Sequence, residues 1–198
     1  MANNKDWSGN TKTTFVQLGS SNHCLEERET NDYYATEPKA VELLLELEKF
    51  NSNIWECASG GGHISEVLIK HGHNVKSTDL INRDYGISGI DFLKETEIFD
   101  GDLITNPPYI YAEEFVRKGM ELIPKGNKIA MFLKLTFLET KGRKKLFKDF
   151  PPKIVYISSS RLGCAKNGDM DSMGNAVCYC WYIWEVGYEG ETILKWFN

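Results

Sequence analysis

An α/β fold with a mainly parallel sheet is predicted by three observations. Short apolar runs of strand length alternate with helix-patterned stretches along most of the chain. Three of those runs end in a side chain suited to ligand contact, Glu56, Asp79 and Asn106, as expected at the carboxyl edge of such a sheet. The last two runs have no helix pattern between them, which predicts an antiparallel pair at the end of the sheet.

Taken in order, Thr36 reads as an N-cap and Pro38 as a first-turn proline. Val41, Leu44, Leu45 and Leu47 then fall at helical spacing. Asn53 to Cys57 is a short apolar run that enters a glycine cluster. His63 to Lys70 reads as a short helix stopped at Gly72, and Asn74 to Thr78 as a second strand ending at Asp79. Gly89 to Phe92 is a weak third strand, and Leu103 to Thr105 a fourth running straight into Asn106. Ala112 to Ile123 is a helix ended by Pro124, and Lys128 to Leu135 an apolar strand. A basic helix over Leu138 to Phe147, a strand over Lys153 to Ser158 and a long aromatic strand over Val177 to Val186 complete the pattern. The loop from Gly163 to Asn175 joins the last two. Helices are expected on both faces of the sheet.

The 198 residues suffice for one core. Residues 1–22, rich in Asn, Ser, Thr and Gly, are expected to form a mobile arm, and 23–198 a single domain. The first residues lack the apolar stretch of a secretory signal, and no run approaches the roughly 20 apolar residues of a membrane span. Five cysteines without a Cys-x-x-Cys pair argue against a disulfide framework or a structural metal and for a reducing cytoplasm. The net charge of −5 argues against indiscriminate nucleic-acid binding. The charge is uneven, however: between Lys141 and Asp169 eight basic residues face two acidic ones, a net +6. Arg143, Lys144, Lys145, Arg161 and Lys166 in this stretch are candidates for guiding a polyanion, although a solvated helix surface has the same composition.

Two sites carry chemistry. Asn106-Pro107-Pro108-Tyr109 is a corner stiffened by two fixed φ angles and two missing donors. The Asn106 amide oxygen and the Pro107 carbonyl can both accept from a planar –NH₂, while Tyr109 can stack on the attached ring. The second site is Glu56-Cys57-Ala58-Ser59-Gly60-Gly61-Gly62, with Asp79 nineteen residues after Gly60. Glycines admit a ligand close to the backbone, the helix start offers free N–H groups, and a carboxylate at this distance can accept from ribose hydroxyls. Alone, this pattern also fits a nicotinamide dehydrogenase, except that the third fingerprint position is Ser65; a hydride-transfer enzyme has no evident use for the diproline corner. Asp79 and Asp91 also have a reading as loop carboxylates or caps, and Tyr33 and Tyr34 one as core.

With Glu56-x-Ala58-x-Gly60-x-Gly62, Asp79 and Asn106-Pro107-Pro108-Tyr109 in this order, the chain resembles the class I S-adenosylmethionine-dependent methyltransferases. Among them it is most similar to those that modify the amino group of adenine in DNA. The segment Asn31 to Pro38 resembles the one preceding the cofactor loop there, and the aromatic ending resembles short methyltransferase-like proteins of phages and prophages. The resemblance implies a Rossmann-like class I methyltransferase sheet, S-adenosylmethionine as cofactor and DNA as partner, with the target base flipped out or single-stranded. It implies further that Glu56 holds the cofactor's amino group and that Ala58, Gly60 and Gly62 let its backbone pass. Asp79 would hold the ribose, Asp91 and Phe92 the adenine, and Tyr34 and Thr36 the methionine end. Asn106, Pro107, Pro108 and Tyr109 become the catalytic set. The same corner suits methylation of a protein glutamine or an RNA base, and a catalytically silent binding module is a third reading.

Overall fold

The computed structural model describes residues 33–160, 162–166 and 177–198. The proposed N-terminal arm, Arg161 and most of the loop from Gly163 to Asn175 lie outside the described residues. The chain enters through β1 (Tyr34–Thr36), α1 (Pro38–Leu47), β2 (Asn53–Glu56), α2 (His63–Lys70), β3 (Asn74–Asp79) and β4 (Ile87–Ser88). It continues through β5 (Asp102–Thr105), α3 (Ala112–Leu122), β6 (Lys128–Lys134), α4 (Lys144–Asp149) and β7 (Ile154–Ser158). It closes with β8 (Cys164–Lys166), β9 (Tyr179–Glu185) and β10 (Ile193–Phe197).

Eight strands form one sheet in the order β10-β7-β9-β6-β5-β2-β3-β4, all parallel except β9. The strand order reverses between β2 and β5, so the loops leaving those two strands flank the crevice where such sheets bind ligands. Strand alternation sorts the core onto two faces. Ile54, Ile104, Phe132, Trp181 and Ile183 pack with α1 and α2, whereas Trp55, Leu103, Met131, Tyr182 and Trp184 pack with α3 and α4. Two buried indole N–H groups are satisfied: Trp55 Nε1 donates to Thr78 Oγ1 at 2.8 Å, and Trp181 Nε1 to the Ala40 carbonyl at 2.9 Å. No helix among the described residues is long and apolar enough to cross a membrane.

The fold class is as the alternation predicts, with four local corrections. Strands β7 and β9 pair antiparallel as expected, but β9 is inserted between β6 and β7, and β10 adds a parallel strand beyond them. The sequence reading assigned no strand to β10, because its exposed Ile193, Leu194 and Trp196 lack the alternation of a half-buried strand. Thr36 is not the cap of α1: it ends β1, and Glu37 caps the helix without a side-chain bond. The weak third strand expected over Gly89 to Phe92 does not form: a two-residue strand, Ile87–Ser88, precedes it, and Asp91 turns the chain into a 3-10 segment at Phe92–Lys94 by accepting from Leu93 N at 3.2 Å. The predicted basic helix splits into a 3-10 turn, Leu135–Leu138, and the short α4, with Thr140 at φ 97° between them.

Candidate active site

The turn after β2 is built around one carboxylate. Asp79, at the end of β3, accepts from Gly60 N and from Ile81 N, each at 2.8 Å, and so ties the glycine turn to its own loop. Gly60 lies at φ +55° and Gly62 at φ +85°, conformations that side-chain-bearing residues rarely adopt. Gly62 caps α2, and His63 and Ile64 of its first turn line the cavity between these elements. A Cβ on Gly60 would run into the ring of Tyr33, whose hydroxyl accepts from Gly61 N at 3.0 Å. Tyr33 therefore covers the turn, and the Arg83 guanidinium lies 4.3 Å from its ring centre.

Beneath this turn Glu56 is 1 % exposed and accepts from Ser65 Oγ, which also bonds Ser77 Oγ at 2.6 Å. Burial pushes the Glu56 carboxyl up to about 8, with Ser65 acting in the opposite sense. The serine that breaks the dinucleotide fingerprint is thus the hydroxyl that satisfies this acid. Only the fold brings the pair together, since β2 and α2 carry them.

The diproline corner follows β5, the strand on the other side of the crevice. Its internal bond runs from Tyr111 N to the Pro108 carbonyl at 2.9 Å and leaves the Pro107 carbonyl out of the turn. Asn106 Nδ2 donates to the Tyr34 carbonyl at 2.8 Å and to Thr36 Oγ1 at 3.0 Å, and lies 3.8 Å from Cys164 Sγ. Asn106 Oδ1 is buried and has no hydrogen-bond partner among the described residues. Tyr109 packs inward: its ring stacks on Tyr34 at 5.7 Å, lies 6.1 Å from that of Tyr179, and carries Lys134 Nζ 4.8 Å from its centre. Burial holds the Tyr109 hydroxyl well above the usual phenol range.

These elements enclose a cavity of about 460 Å³, within the range typical of small-molecule sites. Its walls include Tyr34, Thr36, Glu56, Ala58, Asp79, Asp91, Phe92, Asn106 and Pro108, so most of the expected cofactor and catalytic residues share one space. Gly60, Gly62, Pro107 and Tyr109 do not line it, and Tyr109 lines a second, smaller cavity with Lys134 and Phe137. Asp91 Oδ2 pairs with Lys94 Nζ at 2.9 Å, while Phe92 is held edge-on to Trp55 at 5.2 Å. Ser59, within the glycine run, also lines the cavity, as do Ile81, Arg83, Ile110 and Tyr111, which the sequence reading missed, since none of these four belongs to a spaced motif. Ser59 Oγ and Arg83 Nε are buried without partners among the described residues, so the cavity offers unused polar atoms beside apolar walls. That combination fits a ligand with a polar chain and a flat ring. Among the described residues no group of three His, Cys, Asp or Glu is placed to hold a metal.

Away from the cavity, Arg143 Nη1 donates to the carbonyls of Thr136, Phe137 and Glu139 at 3.2–3.3 Å, bracing the 3-10 turn after β6. Lys144 and Lys145 are exposed and form no ion pair among the described residues. Lys166 pairs through its backbone with Tyr34 in the β1–β8 ladder.

Comparison with solved structures places this architecture. A Listeria monocytogenes protein assigned as a class I S-adenosylmethionine-dependent methyltransferase superposes with a TM-score of 0.61 at 12% identity, covering 93% of this chain and 71% of that one. A SAM-dependent O-methyltransferase of Thermotoga maritima gives 0.55 at 15% identity over 80% of this chain and 69% of that one. A Vibrio vulnificus protein assigned as the modification subunit of a type I restriction enzyme gives 0.60 at 12% identity over 92% of this chain and 49% of that one. The fold is that of the class I S-adenosylmethionine-dependent methyltransferases. No family model and no curated protein matches the sequence.

Proposed function

We propose that the protein is an S-adenosylmethionine-dependent methyltransferase acting on a planar amino group, the 6-amino group of adenine in DNA. One observation carries the reading: a buried, partnerless Asn106 Oδ1 stands at the crevice beside a diproline corner whose first carbonyl is left out of the turn. An orphaned buried acceptor costs about 1–3 kcal/mol, and a substrate N–H removes that cost. When bound, the cofactor supplies an electrophilic methyl group on a sulfonium.

Glu56 would hold the cofactor's ammonium, and a positive charge there draws the proton off a carboxyl otherwise pushed up by burial. Asp79 keeps lone pairs for ribose hydroxyls after accepting its two backbone N–H groups. Phe92 and Ile81 would flank the adenine. An aromatic amine is a weak nucleophile because its lone pair is shared with the ring. Asn106 Oδ1 and the Pro107 carbonyl, accepting both N–H bonds, favour the pyramidal nitrogen that forms as the methyl arrives. This is positional and electrostatic catalysis that needs no strongly basic side chain. Tyr109 is proposed to stack on the target base, which requires its ring to part from Tyr34, on which it stacks in this structure.

DNA as the substrate is supported by the exposed lysines of α4 and by the fold shared with the Vibrio protein assigned as the modification subunit of a type I restriction enzyme. The test supplies methyl-labelled cofactor with DNA, RNA or protein and identifies the product by mass spectrometry. Label in DNA as N6-methyladenine is expected. Label confined to RNA or to a glutamine side chain would overturn the DNA assignment, and cofactor binding without transfer to any of them would leave a silent module. In the same assay Asn106→Ala should abolish transfer while cofactor affinity, read by calorimetry, stays within about twofold. Equal loss of both would remove Asn106 from the amine-holding role.

A further inference from the structure

A carboxamide can present either of its two ends, and catalysis at an amine needs the oxygen. The ends differ little in size, so packing alone does not choose between them; hydrogen-bond partners do. Behind Asn106 stands a two-stranded ribbon, β1 with β8, that pairs with no strand of the main sheet. Its ladder sets Tyr34 against Lys166, Ala35 against Ala165 and Thr36 against Cys164. Past the ladder Glu37 N donates to the Gly163 carbonyl at 3.2 Å, and Gly163 N to Glu37 Oε2 at 3.0 Å. Thr36 is 2 % exposed and Ala35 3 %, so neither is free to shift.

We propose that this ribbon is a polarity lock on Asn106, with Thr36 as its positioning residue. Both amide hydrogens are engaged, one by the Tyr34 carbonyl and one by the Thr36 hydroxyl. A half-turn of the carboxamide would set its oxygen against the Tyr34 carbonyl, two acceptors facing each other with no proton between them. The lock leaves Oδ1 as the end without a protein partner among the described residues, and a substrate N–H is the partner it lacks. Cys164 Sγ, 3.8 Å from Nδ2, closes the socket on the β8 side with a weak acceptor. Thr36 thereby acts through Asn106, in addition to lining the cavity.

The catalytic part of this inference rests on the function proposed above, so the test carries two readouts. In the first, transfer is measured for Thr36→Val and Thr36→Ser. Loss of one of two hydrogen bonds predicts a fall of about tenfold in kcat for Thr36→Val. The fall is read at saturating cofactor, and Thr36→Ser should recover most of the rate. In the second, the Asn106 side-chain NH₂ pair is followed by ¹⁵N NMR in the free protein, assigned by its disappearance in Asn106→Asp. Two exchange-protected protons are expected in the wild type and in Thr36→Ser, with protection of one lost in Thr36→Val. An NH₂ pair that Thr36→Val leaves unchanged overturns the lock, as does a kcat that survives the substitution or a loss that falls wholly on cofactor affinity. Protected protons in a wild type that methylates nothing would sink the proposed function and leave the orientation of Asn106 standing.

Discussion

Gly60 and Asp79 show how single residues of the glycine turn depend on one another. A side chain at Gly60 meets both a left-handed backbone, worth about 1–2 kcal/mol of strain, and the Tyr33 ring. Gly60→Ala should therefore lower stability in urea unfolding, and Gly60→Ala combined with Tyr33→Ala should cost less than the two single losses added. Strict additivity would show that the ring does not press on the turn. Asp79 was read from the sequence as a ribose ligand, yet both its oxygens already accept from backbone amides. Asp79→Ala leaves two N–H groups without their acceptor, at about 1–3 kcal/mol each if they stay dry. Calorimetry should then find cofactor binding lost together with a lower Tm, whereas a ribose contact alone would leave Tm untouched.

Helix α4 and the turn before it illustrate how one charged stretch divides its labour. Arg143 is bound to three carbonyls and lies 4.5 Å over the Phe137 ring, so its charge braces the chain. Lys144 and Lys145 have no such engagement among the described residues and stand in solvent. Arg143→Ala should lower Tm measurably. Joint Lys144→Ala and Lys145→Ala should stay within about 0.5 kcal/mol of the wild type per site in stability. The lysine pair should instead weaken DNA binding and flatten its dependence on salt by close to two counterions. A salt slope that the lysine pair leaves unchanged would show that DNA docks elsewhere. The sequence supplied the net +6 of this stretch but not its division, because charge counts do not record which cations already face carbonyls.

For the whole molecule, Glu56 ties folding to pH. Its carboxyl ionises near 4.5 in an unpaired state and near 8 when buried in the fold. Between those values the unfolded chain has released a proton that the folded one keeps. This group's contribution therefore turns against the fold as pH rises from about 4.5 to about 8, and is level beyond. Glu56→Gln removes the titration, so its stability relative to the wild type should improve steadily between pH 5 and pH 8. A difference independent of pH would contradict the buried, protonated state. Asp102 at the start of β5 is a second buried carboxyl that burial raises, with the backbone N–H groups of Lys128 and Asn51 acting in the opposite sense.

The alternation of apolar runs with helix patterns was enough to define an α/β sheet, and its spacing put Glu56, Asp79 and Asn106 at one edge, because side-chain periodicity reports burial locally. The third fingerprint position and the diproline corner were legible for the same reason, being fixed by a few neighbouring residues. The partners of those residues were not. Thr36 lies 70 residues from Asn106 and Cys164 lies 58 from it, Ser65 comes from a different element than Glu56, and β10 is an edge strand with no periodicity to betray it. Which end of the Asn106 carboxamide is left open, and that Tyr33 covers the glycine turn, depend on contacts between chain segments far apart in sequence. Local pattern carries no information about them, so folding alone settled both.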